Sequence, residues 1–291
     1  MAPNPGLADW ADAPVGIVGL GLIGGSIALD LRQRGIVVHG LVHRDATAER
    51  ALQRGLVDRV STDSTMLKDC GLVVLALPLD RLLDPDPALV AALPPEAVVT
   101  DVGSVKQPLL QCWEPLHPRF VASHPMAGTA EAGVEAGLTG LFAGRPWVAT
   151  PSAKTDAAAL QAVRQLAELL GARWFCCDAA AHDRAVGLIS HGPVLVSAAL
   201  LQAADQAAAT PELAALVRAL ASSGFADTTR IGGGNAQLGT QMARTNQAAV
   251  LAALRHYRAA LTQLEQQVEQ SDWAQLEANL QLAQQLRPQF L

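Results

Sequence analysis

The hexapeptide Gly19-Leu20-Gly21-Leu22-Ile23-Gly24 sits between an apolar run, Pro14-Val15-Gly16-Ile17-Val18, and a stretch from Ile27 to Arg34 that reads as a helix. A strand, a glycine turn and a helix start in that order make a cradle for a dinucleotide. Gly19 allows the tight turn, Gly21 the close approach of a pyrophosphate, and Gly24 the packing of helix on sheet. The amides of the helix start, Leu22 and Ile23 among them, then face phosphate oxygens. NAD enzymes commonly place an acid at the end of the next strand to hold the ribose hydroxyls. Here the strand tip is Leu41-Val42-His43-Arg44. Arg44, with His43 beside it, suits a ribose phosphate, so NADP is favoured over NAD. Asp45 reads as a helix cap and would support NAD if the strand ended later.

Two further positions carry chemistry. Asp101-Val102-Gly103-Ser104-Val105-Lys106 follows another strand candidate, where ligands gather in a parallel sheet. Ser104 can donate and accept a hydrogen bond without adding charge. Asp101 reads as a turn cap, and Lys106 as an ordinary helix-start or surface cation. His124-Pro125-Met126-Ala127-Gly128-Thr129 follows the next strand candidate. A neutral imidazole there can accept a proton near physiological pH while a hydride leaves the alcohol carbon. The alternative for His124 is a hydrogen-bonded turn or core histidine, and Met126 reads as packing.

The elements that must position these residues alternate between strand and helix. Strands are expected at Ile36 to Val42, Leu72 to Leu77, Ala97 to Thr100 and Phe120 to Ser123, with helices between them, including one from Asp45 to Arg54. A loose start runs through Ala13. After a Gly-rich loop reaching Gly144, Trp147 to Thr150 and Arg173 to Cys177 read as strands flanking a helix from Asp156 to Leu170. The pattern is a Rossmann-type α/β domain over residues 1–178. Residues 179–291 are rich in Ala, Leu and Gln and read as an all-helical second domain. Interruptions are expected at Thr210-Pro211 and from Ser222 to Gly234, then one long helix from Asn235 to Gln270 and a last helix from Asp272. A helix of that length needs a second surface to cover it, which makes a helical homodimer interface plausible.

Composition agrees with small-molecule chemistry. The 291 residues are 50% hydrophobic and 16% charged, with a formal net charge of -6. That excludes general disorder and disfavours a broad nucleic-acid footprint. Asp9 and Asp12 stand where a secretory leader would be basic, and the apolar runs are punctuated by Gly, Pro or charge, so secretion and membrane spanning are disfavoured. Cys70, Cys112, Cys176 and Cys177 form neither a disulfide framework nor a zinc knuckle, and a reducing cytoplasm is expected. The histidines and acids offer no ligand arrangement for zinc or magnesium.

Taken in order, these motifs resemble the prephenate/arogenate dehydrogenase family of tyrosine biosynthesis. The resemblance spans nearly the whole chain. It runs from the Gly19 turn, continuing into Gly25-Ser26, through the Asp101 and His124 motifs. It continues with Asp183 to Ile189, Ser190-His191-Gly192-Pro193 and Gly224-Phe225-Ala226-Asp227-Thr228-Thr229-Arg230-Ile231. It implies a dinucleotide-binding domain followed by a helical dimerisation domain. It also implies that His124 hydrogen-bonds the ring hydroxyl of the substrate and assists its oxidation, with Ser104 orienting that group. Arg230 would bind the ring carboxylate, for which its guanidinium fork is apt; read without the family, it equally suits an interdomain salt bridge. His191 would orient nicotinamide or substrate, or else is a satisfied histidine in the first helix of the second domain. Relatives that prefer prephenate often carry another histidine three residues on, where this chain has Val194, which favours arogenate over prephenate. Asp183, Gln237 and Thr240 either face the site or support helices.

Overall fold

A computed structural model of the chain describes Trp10, residues 12–129 and residues 131–290, so most of the loose start expected through Ala13 lies outside the described residues. The chain runs through β1 (Val15–Val18), α1 (Leu22–Gln33), β2 (Val38–Leu41), α2 (Asp45–Gln53), β3 (Arg59–Ser61) and β4 (Leu72–Leu75). Then come α3 (Leu79–Leu83), α4 (Pro87–Ala92), β5 (Val98–Asp101), α5 (Gln107–Trp113) and β6 (Phe120–Val121). β7 (Ser123–Pro125), β8 (Pro146–Ala149), α6 (Ala157–Leu169) and β9 (Arg173–Cys176) follow. The rest is helical: α7 (Ala179–Val186), a π-helical turn (Gly187–His191), α8 (Gly192–Ala207), α9 (Pro211–Leu220), α10 (Ser223–Thr229), α11 (Ala236–Thr245), α12 (Gln247–Glu269) and α13 (Trp273–Phe290).

Two compact units result, one of Met1–Val186 with Gly233–Asn246 and one of Gly187–Gly232 with Gln247–Leu291. In the first, six parallel strands lie in the order β3-β2-β1-β4-β5-β6, the doubly wound arrangement of a Rossmann-type domain. β1 and β4 are buried along their whole length, which is why they read as unbroken apolar runs rather than alternating ones; β5 is equally buried but ends in Thr100 and Asp101. β7, β8 and β9 form a second, mixed sheet, with β7 antiparallel to β8 and β8 parallel to β9. The second unit is all helical.

Three local expectations are corrected. His124 does not follow its strand; it lies inside β7, opposite Val148, because the chain leaves the parallel sheet after Val121 and starts a new one at Ser123. The single long helix expected from Asn235 to Gln270 breaks at Asn246, which has φ -122° and ψ 36°. There the Asn246 side-chain amide donates to the Asp183 carbonyl at 2.7 Å, and the chain passes from one compact unit to the other. The interruption expected from Ser222 to Gly234 holds the helix α10.

The run Ala179–Ala207, with a mean hydropathy of 1.5, is long and apolar enough to cross a membrane by length and composition. Its first turns nevertheless carry His182 and Asp183, hydrogen-bonded to each other and, through Asp183, to α5. Those contacts tie that part of the helix into protein.

The glycine turn shows how tightly β1, β4 and α1 meet. Gly19 has φ +94°, and a Cβ there would lie 2.4 Å from the Ala76 carbonyl oxygen. At Gly24 a Cβ would lie 2.0 Å from the Gly19 carbonyl oxygen, whereas at Gly21 it would meet nothing within 4 Å. Gly24→Ala is therefore expected to destabilise the fold by roughly 1–3 kcal/mol, the usual range for overpacking. Gly21→Ala should stay within about 0.5 kcal/mol of the parent. Circular-dichroism melts of the two variants check this, and equal midpoints would refute it.

Candidate active site

The first site is the uncapped start of α1. Gly19 donates its amide to the Leu41 carbonyl at 2.9 Å, which fastens the glycine turn to the tip of β2. Gly21 is the N-cap residue and offers no side chain, and the first turn of α1 carries no acid. The leading amides of a helix have no partner within it. With open space at Gly21, this start fits the pyrophosphate of a dinucleotide. The Leu22 and Ile23 side chains pack against the core, so what they present to a ligand is their amides. At the β2 tip Val42 is buried, while His43 and Arg44 are exposed. Asp45 opens α2, and its carboxylate accepts a long hydrogen bond, 3.4 Å, from the Thr62 hydroxyl. The residues present thus fit a dinucleotide, with His43 and Arg44 rather than an acid just after β2.

The second site is built on the end of β5, two strands along the same sheet edge from β1. Asp101 is fully buried and binds three donors. Its Oδ2 accepts the Gly103 amide at 2.7 Å and the Lys106 Nζ at 2.5 Å, and its Oδ1 accepts the Ser123 amide at 3.1 Å. Lys106 is equally buried and donates a second hydrogen bond from Nζ to the Ser123 carbonyl at 2.6 Å. This overturns the reading of Lys106 as a helix-start or surface cation: its backbone does begin α5, but its ammonium turns inward to a charge partner. Burial pushes the Asp101 carboxyl up from its ordinary range and the Lys106 ammonium down, and their mutual attraction opposes both shifts. The pair clamps the turn carrying Ser104 to the strand carrying His124. Ser104 Oγ is buried and, among the described residues, has no hydrogen-bond partner.

His124 is 9% exposed. Its Nδ1 lies 3.0 Å from His182 Nε2, the two rings meeting edge to face at 71°. His182 Nδ1 in turn lies 2.8 Å from Asp183 Oδ1. Asp183 Oδ1 also accepts the Lys106 amide at 2.7 Å, and its Oδ2 accepts the Gln107 amide at 2.9 Å. Desolvation pushes the Asp183 carboxyl up, but the hydrogen bonds from His182 and the two amides outweigh it and hold the group below its ordinary value. Of the residues left open between site and support, Asp183 therefore belongs to the His124 network, while Gln237 and Thr240 lie exposed on α11. Local sequence pattern does not single out His182. Its one signal is a polar pair, His182-Asp183, on an otherwise alanine-rich turn.

The remaining candidates are on the helical unit. His191 is buried at the end of the π-helical turn; such turns recur at functional sites. Arg230 caps α10, is exposed, and makes no ion pair among the described residues. Its place is set by buried Ser197 of α8, whose hydroxyl donates to the Thr228 carbonyl at 2.9 Å and accepts the Gly232 amide at 2.9 Å. A cavity of 340 Å³ opens beside these bonds, lined by Pro193, Val196, Ser197, Thr228, Ile231 and Tyr257 among others.

Two family models match the chain: prephenate dehydrogenase, nucleotide-binding domain, over residues 27–176, and prephenate dehydrogenase, dimerization domain, over residues 178–282. The chain is similar to the arogenate dehydrogenase of Synechocystis, with 40% identity and a TM-score of 0.79 over 96% of this chain and 100% of that one. It is also similar to the prephenate dehydrogenase of Aquifex aeolicus solved with hydroxyphenyl propionate and NAD+ (29% identity, TM-score 0.88, 96% and 98% covered). A curated relative, the prephenate dehydrogenase of Bacillus subtilis, is 34% identical over 222 residues, which are 74% of this chain and 59% of that protein. The chain thus spans less than two thirds of that relative's length.

The clamp can be tested without substrate. Lys106→Met leaves Asp101 buried without its cation and should destabilise the first unit by about 3–5 kcal/mol. Adding Asp101→Asn should recover part of that loss, because the uncompensated charge goes with it. Urea unfolding followed by fluorescence of buried Trp113 and Trp147 reads both, and a Lys106→Met midpoint equal to the parent's would exclude the clamp.

Proposed function

Because the chain belongs to the prephenate dehydrogenase family, we propose that it catalyses the NADP-dependent oxidative decarboxylation of arogenate to tyrosine. Conversion of prephenate to 4-hydroxyphenylpyruvate is the second reading. The observation that carries the reaction class is His124, a buried imidazole held in a hydrogen-bonded chain. The clamp that holds its strand also fixes Ser104, whose buried hydroxyl has no partner among the described residues.

The start of α1 would hold NADP, which when bound would supply the hydride acceptor. His124 takes the proton of the ring hydroxyl as the hydride leaves the same carbon, and Ser104 holds that hydroxyl by a hydrogen bond. Arg230 binds the ring carboxylate as a fork. When the bond between ring and carboxylate breaks, its electron pair moves through the ring to the carbonyl oxygen, carbon dioxide departs, the ring becomes aromatic, and the phenolate oxygen takes back the proton held on His124. His191 is assigned to substrate or nicotinamide orientation.

Two features support NADP and arogenate. β2 ends at Leu41 and is followed by exposed His43 and Arg44, while Asp45 is committed to α2. The residue three beyond His191 is Val194, and the Synechocystis arogenate dehydrogenase is 40% identical over nearly the whole chain. A homodimer is supported by the dimerization-domain match and by exposed apolar residues on the helical unit, among them Leu213, Leu216, Leu220, Leu261, Trp273 and Phe290. The four cysteines are free, which supports a reducing cytoplasm.

Initial rates with each substrate, paired with NADP and with NAD, test the reading. The highest kcat/KM is expected for arogenate with NADP. Higher efficiency with prephenate, or with NAD, would overturn the corresponding assignment. Arg44→Ala should raise the KM for NADP roughly tenfold or more, the loss of a charge-assisted hydrogen bond, with little effect on NAD.

A further inference from the structure

We propose that His182 and Asp183 are positioning residues that hold the proton of His124 on Nδ1, so that Nε2 is the basic nitrogen of the reaction. The proposal rests on the reading of His124 as the base that takes the hydroxyl proton.

Donors and acceptors along the chain assign the hydrogens one by one. Asp183 receives two backbone amides, Lys106 N at 2.7 Å on Oδ1 and Gln107 N at 2.9 Å on Oδ2. A carboxyl group with an N–H directed at each oxygen is held as the carboxylate. A carboxylate only accepts hydrogen bonds, so His182 Nδ1, 2.8 Å from Oδ1, carries a hydrogen. In the neutral imidazole the other nitrogen, His182 Nε2, then holds the lone pair. It lies 3.0 Å from His124 Nδ1, and one of the two must donate. The hydrogen therefore sits on His124 Nδ1, and His124 Nε2 is unprotonated.

The alternative is a doubly protonated His182. It would donate to both neighbours, make His124 Nδ1 an acceptor and place the hydrogen on His124 Nε2, where it would block the base. His182 is 3% exposed and touches His124 and Asp183 through its two ring nitrogens, so the two arrangements differ in the nitrogen of His124 that carries the hydrogen, which a nitrogen NMR spectrum reads directly. Other charged groups near the dyad are Lys106 and Asp101 of the β5–α5 turn, which are paired with each other, and Asp178 at the start of α7, whose carboxylate accepts the Ala181 amide. The Cys177 thiol, just before α7, is pushed above its ordinary value by burial and is neutral. Asp183 is the carboxylate in direct contact with the relay. When His124 takes the hydroxyl proton on Nε2, the imidazolium that forms is supported through His182 by that carboxylate, the logic by which a buried acid orients and supports a catalytic histidine.

The test is direct observation of the tautomer by nitrogen NMR on the full chain labelled at histidine, with the His124 signals assigned by their loss in His124→Gln. Above the pH at which His124 titrates, Nδ1 is expected to resonate as a protonated ring nitrogen and Nε2 as an unprotonated one. In His182→Leu that preference should disappear. With substrate, the same variant should lose about 100-fold or more in kcat, the usual reach of general-base catalysis, while both KM values stay near those of the parent. A His124 protonated on Nε2 in the parent, an unchanged tautomer in His182→Leu, or an unchanged kcat would each overturn the proposal. If His182→Leu fails to fold, the parent spectrum alone decides. Absence of turnover with either substrate would count against the reaction and not against the tautomer, which is read without substrate.

Discussion

The ion pair between Asp101 and Lys106 is the constraint on which the rest of the site depends. Both side chains are fully buried, and two charges removed from water are tolerated only when geometry and further hydrogen bonds satisfy them. Here they are satisfied by the backbone of the residues that must be placed: the Gly103 amide on the turn leading to Ser104, and the amide and carbonyl of Ser123 next to His124. A change in the pair therefore moves two functional groups at once. Thr100 extends the same knot, since its hydroxyl meets Ser123 Oγ at 2.8 Å, and the Trp147 indole donates to Ser123 Oγ from β8 at 3.0 Å. The parallel sheet and the smaller mixed sheet are thereby joined at Ser123, one residue before His124.

The helical unit solves a parallel problem with a neutral group. Ser197 bonds to backbone on both sides of Arg230, so a flexible, exposed guanidinium is carried on a fixed base. A charged anchor would compete with the carboxylate that Arg230 is proposed to bind; a hydroxyl does not. The first unit uses a buried ion pair for the same purpose, its two charges paired with each other.

The glycine turn, the alternation of strands and helices and the place of Ser104 just beyond a strand are legible in the amino-acid sequence, whereas His124, expected just beyond its strand, lies inside β7. The legible features follow from local pattern, because a parallel strand buried on both faces is mostly apolar and gives way to a turn at its end. Features that depend on contacts distant in sequence are not legible in the same way. Nothing in the residues around Lys106 shows that its side chain turns inward, since a lysine at a helix start is usually solvated, and the acid that neutralises it lies across a turn. His182 reaches His124 from 58 residues away, and only the fold supplies that neighbour. Asn246 interrupts a helix-compatible sequence at the point where its side chain binds the Asp183 carbonyl. The residues hidden from local pattern thus belong to one network that converges on Asp183.

That convergence bears on how the base proposed at His124 is kept ready. A histidine that samples both tautomers spends part of its time with a hydrogen on the nitrogen that must accept one, and every such state lowers the working fraction of the enzyme. Solvent cannot correct this at a residue that is 9% exposed; a fixed acceptor can. Asp183 serves as that fixed reference because both its oxygens are held by backbone amides of Lys106 and Gln107, and Lys106 is itself fixed by Asp101. The order of dependence runs from the buried ion pair to the start of α5, from there to the carboxylate, and through His182 to the proton on His124. In the last two links the donor is assigned by the acceptor before it, so a carboxylate fixed at one end of the network becomes a single protonation state at the other.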